Sequence, residues 1–126
     1  MYGVQGQRLS LAFAYAANEA YEHADENREV IAEVVRSLGG RVDLSDQAFA
    51  QLVERFFQVL DTNRTAPSIV RIMAYADSIR VCRAEVADPS NGWRARRALR
   101  KEGDRAAGEL TRQIASTLDG LLAEPF

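Results

Sequence analysis

The chain is poor in the residues that carry most protein chemistry. It has one cysteine, Cys82, and one histidine, His23. A lone thiol forms no internal disulfide, and one thiol with one histidine cannot complete a structural zinc site within a single chain. Ser-His-Asp, Cys-His and multi-histidine arrangements would all hang on His23, which projects to the side of a charged helical face and is expected to be solvated. Cys82 falls on an apolar face and reads as a small core residue rather than a nucleophile.

Other absences narrow the field further. No apolar run approaches the 18 or so residues that a membrane-spanning helix needs, so no membrane partner is expected. There is no Gly-x-x-x-x-Gly-Lys-Ser/Thr loop and no strand, glycine turn and helix in succession to hold a nucleotide phosphate. Period-2 alternation, internal repeats and low-complexity tracts are missing too, which argues against sheets and solenoids. The net charge of −2 supplies no global field toward nucleic acid or an anionic membrane, so any electrostatic function has to be local. No cofactor is implied.

What is present is an ordinary globular composition, 47% hydrophobic and 27% charged over 126 residues, which predicts one folded domain spanning 1–126. The stretch Leu9–Ala17 after Arg8 has the length of a signal-peptide core, and Ala14-Tyr15-Ala16 imitates a cleavage site. Only one basic residue precedes it and its pattern runs on into a helix, so a cytoplasmic location is expected.

Apolar periodicity near 3.6 predicts an all-α fold, an antiparallel bundle of about four helices at roughly 10–38, 45–61, 66–87 and 91–119. Phe13, Ala17, Ala20, Ala24, Ile31, Val35 and Leu38 line one side of a single long first helix, stopped by the αL-tolerant pair Gly39-Gly40. Asp43 or Ser45 offers a cap to the second helix, whose face is Phe49, Leu52, Val53, Phe56, Val59 and Leu60. Thr65 is the expected cap of the third, with Pro67 in its first turn, and Asp88-Pro-Ser-Asn-Gly92 ends it. The fourth carries Leu99, Ala106, Ala107, Leu110, Ile114, Leu118 and Leu121, tolerates Gly103 and Gly108, and frays at Asp119-Gly120.

The third helix is apolar on two sides. Ile72, Tyr75, Ala76, Ile79, Cys82 and Val86 make its main face, while Val70, Ala74 and Val81 form a second strip about 180° away. Such a helix is either wrapped by its own bundle or faces a second copy, and Val70, Ala74 and Val81 are therefore a candidate oligomer face. Arg83 projects into the main apolar face, which calls for a buried ion pair, a snorkelling side chain or a ligand anion. Asn27, on the apolar side of the first helix, calls for a hydrogen-bond partner across the bundle. Tyr15 projects among glutamates.

Two charge stripes are the sharpest features. Glu19, Glu22, Glu26, Glu29 and Glu33 are spaced 3, 4, 3 and 4 apart and make one acidic line on the first helix. Arg94, Arg97, Lys101 and Arg105, with Arg112 two turns on, make a basic line on the last. Like charges at these spacings cost a few tenths of a kcal/mol each in an isolated helix, so a partner of opposite sign is implied for both. The economical partner of each stripe is the other, within one chain or between copies.

Three functions follow in order of support. The first is a non-enzymatic protein–protein interaction module, an adaptor, assembly subunit or inhibitor acting through helix surfaces and forming a homo-oligomer. The second is a small helical subunit that contacts nucleic acid through Arg94, Arg97, Lys101, Arg105 and Arg112, with Trp93 free to stack on a base. The third is a carboxylate-metal hydrolase built on Glu19-x-x-Glu22 and Glu26-x-x-Glu29, with Glu85-x-x-Asp88 far down the chain. Ferritin-type Glu-x-x-His spacing fails, because Ala20 stands three before His23. A helix-turn-helix of the second and third helices is disfavoured by the long connection from Asp61 to Ala66.

Overall fold

Ser45 sits in extended backbone and its hydroxyl accepts the Ala48 N–H at 3.2 Å, so one of the helix's orphan donors is satisfied and the chain turns into a helix there. In the computed structural model, which describes residues 19–124, this is the second of the four helices that lie wholly among the described residues. They are α1 (Ala24–Gly39), α2 (Asp46–Thr62), α3 (Pro67–Ala87) and α4 (Trp93–Ala123). No strand occurs among the described residues, and no helix there is long and apolar enough to cross a membrane. The expectations for Phe13, Tyr15, Ala17 and the Leu9–Ala17 run lie outside the described residues.

The first helix is not continuous from 10 to 38. Residues 19–22 are helical, His23 is a turn at φ −117° and ψ 37°, and α1 starts afresh at Ala24. In an unbroken helix the Ala20 carbonyl would take the Ala24 amide; here the Asn27 side-chain amide donates to it at 2.8 Å. A side chain thus bridges the break, which no periodicity reveals.

Three other ends differ from expectation. Thr65 does not cap α3: the cap position is Ala66, held extended because it precedes Pro67. The Gly39-Gly40 stop uses no left-handed residue, since Gly40 is at φ −75° and ψ −8°. α4 runs through Asp119-Gly120 to Ala123, carried by Leu118 and Leu121, both buried.

Gly39 is needed for close approach instead. A Cβ there would sit 2.9 Å from Phe49 Cε1, whereas one on Gly40 meets nothing within 4 Å. Gly39→Ala should therefore cost about 1–2 kcal/mol, by forcing a ring packed on the core to move. Gly40→Ala should gain about 0.4–1 kcal/mol by stiffening the unfolded chain. Urea midpoints of the two variants should move in opposite directions.

The core collects Val30, Ile31, Val35 and Leu38 from α1, Leu52, Phe56 and Leu60 from α2, Ile69, Ile72, Met73, Ala76 and Ile79 from α3, and Ala106, Leu110, Ile114, Leu118 and Leu121 from α4. α3 packs most extensively on α4, and Ile79, Cys82, Val86, Leu99, Gly103 and Ala107 line one cleft between them. The connection between them is short. α1 lies against α3, with Asn27 near Asp77 and Glu33 near Arg83. α3 is therefore packed on two sides, by α1 and by α4, which accounts for its two apolar sides. Val70 of the second strip is buried, Ala74 half-buried, and only Val81 is open, so the strip is not one continuous exposed face.

Candidate interaction surface

The outer face of α4 begins at Trp93, held in place by a tightly bonded loop. The Asp88 carboxylate accepts from the Ser90 N–H at 2.9 Å and from its hydroxyl at 2.8 Å, the Asn91 side-chain amide donates to the Glu85 carbonyl at 2.7 Å, and Arg96 turns back to the Asp88 carbonyl. The Ser90 N–H, then the Ser90 hydroxyl and the Arg96 charge, hold the Asp88 carboxyl below its usual range. Trp93 leaves this loop 68% exposed, and the Arg94 guanidinium lies 5.5 Å from its ring centroid.

Beyond it the basic stripe stands in solvent. Arg94, Arg97, Lys101, Arg105 and Arg112 are all exposed. Among the described residues Arg105 pairs with Glu102 at 3.8 Å and Arg112 with Glu109 at 3.3 Å, both one turn back on the same helix. Arg97 and Lys101 have no ion-pair or hydrogen-bond partner among the described residues. Exposed pairs one turn apart neutralise little of this charge.

The acidic stripe is joined to the basic one by no ion pair among the described residues. Its break at His23 puts Glu19 and Glu22 on a different segment from Glu26, Glu29 and Glu33, and its cross-helix partners come from α3: Arg83 binds Glu33 at 3.0 Å and Arg80 approaches Glu26 at 3.9 Å. Of the two pairings expected of the stripes, within one chain or between copies, the first is not seen among the described residues, where α3 supplies the cross-helix partners of the α1 glutamates. Arg83 is 58% exposed rather than buried: its stem lies along the apolar α3/α4 cleft and its head snorkels to Glu33. His23 is partly exposed and 3.7 Å from Glu26.

The polar group that the core does enclose is Asn27, with no exposed surface. Its amide donates to Ala20 and, at 3.1 Å, to Asp77; its carbonyl oxygen accepts from Arg80 Nε at 3.2 Å; Arg80 Nη2 donates to Asp77 at 2.7 Å. The partner across the bundle predicted for Asn27 is thus found. Asp77 and Arg80 were missed, although opposite charges three apart in the middle of an apolar helix are a legible signal.

Two shallow clefts flank these elements. One, of about 250 Å³, lies between Tyr21, Asp25, Arg28, Asp61 and Met73; Arg28 binds Asp61 at 3.2 Å, and Tyr21 donates to the Arg64 carbonyl at 2.9 Å under the Arg64 guanidinium. Burial pushes the Tyr21 hydroxyl up against the opposing pull of Arg64. The other, of about 270 Å³, has Cys82, Val86, Leu99 and Gly103 in its wall. Cys82 is half-buried there rather than enclosed; burial, then Glu102 and Glu85, raise its thiol, which disfavours the nucleophilic thiolate. Among the described residues no group of three or more His, Cys, Asp or Glu side chains is placed to hold a metal ion.

No protein-family model, curated protein or solved structure matches the chain.

Proposed function

We propose that this chain is a non-enzymatic interaction module that holds an anionic partner on the outer face of the first half of α4. The observation that carries the reading is the state of Arg97 and Lys101: exposed, four residues apart, and without a neutralising partner among the described residues. Like charges stacked on one face raise the local potential, and an oppositely charged partner lowers it. Asp77, Arg80 and the α3/α4 pairing support the reading by making α4 part of a rigid scaffold rather than a loose basic tail.

Within this reading the four helices act as one antiparallel bundle, and a second copy is one source of acidic charge. Glu22, on the segment before α1, and Glu29, on α1, are exposed and carry no cross-helix ion pair among the described residues, so this acidic side of one copy complements α4 of another. Val81 is the open remnant of the candidate oligomer face on α3.

The test is the double reversal Arg97→Glu with Lys101→Glu. The parent chain should be retained on a heparin matrix at about 0.15 M salt despite its net acidity, and the variant should pass through with unchanged helical circular dichroism. Equal retention of the two would overturn the proposal. Light scattering at low salt should show a species larger than one chain that the same reversal dissociates; a monomer throughout removes the second copy as the partner.

A further inference from the structure

We infer that the anionic partner of the α4 face is single-stranded nucleic acid, its phosphates on Arg94, Arg97, Lys101 and Arg105 and a base stacked on Trp93. This rests on the preceding reading of the α4 face and adds the identity of the partner. Between Trp93 and Arg105 the helix carries six basic and two acidic side chains, in a chain that is acidic overall with a pI near 5.4. Positive charge is therefore gathered locally, while Glu26, Glu29 and Glu33 carry negative charge on a separate helix. Arg94 to Arg105 spans about 16 Å at the helical rise, a length over which an extended strand lays down several phosphates.

Trp93 decides between the classes of polyanion. It is the only tryptophan in the chain and sits 68% exposed at the head of the basic stripe, a large apolar surface left in water. The bonded 88–92 loop fixes the residue before it, so this exposure belongs to the ordered end of the helix. An acidic peptide offers carboxylates to the arginines but no planar face to the indole. A duplex offers phosphates while keeping its base faces stacked on one another. A single strand supplies both, and arginine beside an indole is the pairing that base and phosphate together engage.

The experiment titrates the full-length protein with a labelled short oligothymidylate, following label anisotropy and the intrinsic fluorescence of Trp93. Quenching of Trp93 with binding is expected. Four phosphate contacts predict a log–log salt slope near −3, roughly a fiftyfold loss of affinity between about 50 and about 200 mM salt. Trp93→Ala should weaken binding roughly tenfold and Trp93→Phe should restore most of it, since phenylalanine keeps a stacking face. The Arg97→Glu, Lys101→Glu variant should lose roughly a hundredfold or more.

Binding indifferent to Trp93, or as tight to a blunt duplex as to the single strand, would overturn the inference. So would capture of polyglutamate through Arg97 and Lys101 without capture of the oligonucleotide, an outcome that leaves the anion-binding reading of α4 standing. Failure of oligonucleotide, polyglutamate and heparin alike overturns both. The exposed positions of Trp93, Arg97 and Lys101 keep these substitutions out of the core, and circular dichroism of each variant checks the fold.

Discussion

Replacing Asn27 by alanine should lower stability by about 2–4 kcal/mol, the cost of orphaning buried polar groups rather than of losing one contact. Asn27 has no exposed surface and ties α1 to two other elements, through the Ala20 carbonyl on the segment before α1 and through Asp77 and Arg80 on α3. Ala20 is itself 1% exposed, so water cannot take over the vacated bond to its carbonyl. Asp77 and Arg80 keep each other at 2.7 Å, which limits the damage on that side and keeps the loss below that of an unpaired buried charge. Unfolding in urea should show the lower midpoint. Hydrogen exchange should report the earliest opening at residues 19–22, whose bridge to α1 is the Asn27 amide. A loss under about 0.5 kcal/mol would show that this network contributes little. Asn27→Asp should also be destabilising, because it removes the amide donor and sets a carboxylate against Asp77.

The largest packing effect is expected at Phe56. Its side chain is completely buried, and its ring meets Phe57 edge to face at 5.3 Å and 74°. Phe57 in turn lies 4.9 Å beneath the Arg28 guanidinium, which binds Asp61. α2 makes its main backbone approach to α4 alone, so its remaining attachment to the scaffold runs through long side chains such as these. Phe56→Ala should cost about 3–5 kcal/mol, a large share of the 5–15 kcal/mol typical of a domain. Phe56→Leu should cost about 1 kcal/mol, since most of the volume is kept. The readout is the urea midpoint together with amide exchange in α2, which should rise first; an alanine variant within about 1 kcal/mol of the parent would contradict this account of how α2 is held.

Much of this protein is determined by the sequence alone, for a local reason. Helical period, caps and breakers act over one or two turns, so the buried faces of α1 to α4, the Ser45 cap and the exposure of a charged outer stripe follow from residue order. The tertiary structure decided what depends on which helices become neighbours. The break at His23 is set by Asn27 reaching back to Ala20 while also bonding α3. Arg80 and Arg83 of α3, rather than the α4 stripe, reach the α1 glutamates because α3 is the helix that runs beside them. Gly39 is small because the Phe49 ring from the next helix occupies its Cβ space, not because a left-handed turn is required. Among the described residues no acidic helix packs across the basic stripe, which leaves Arg97 and Lys101 exposed there without an ion-pair partner.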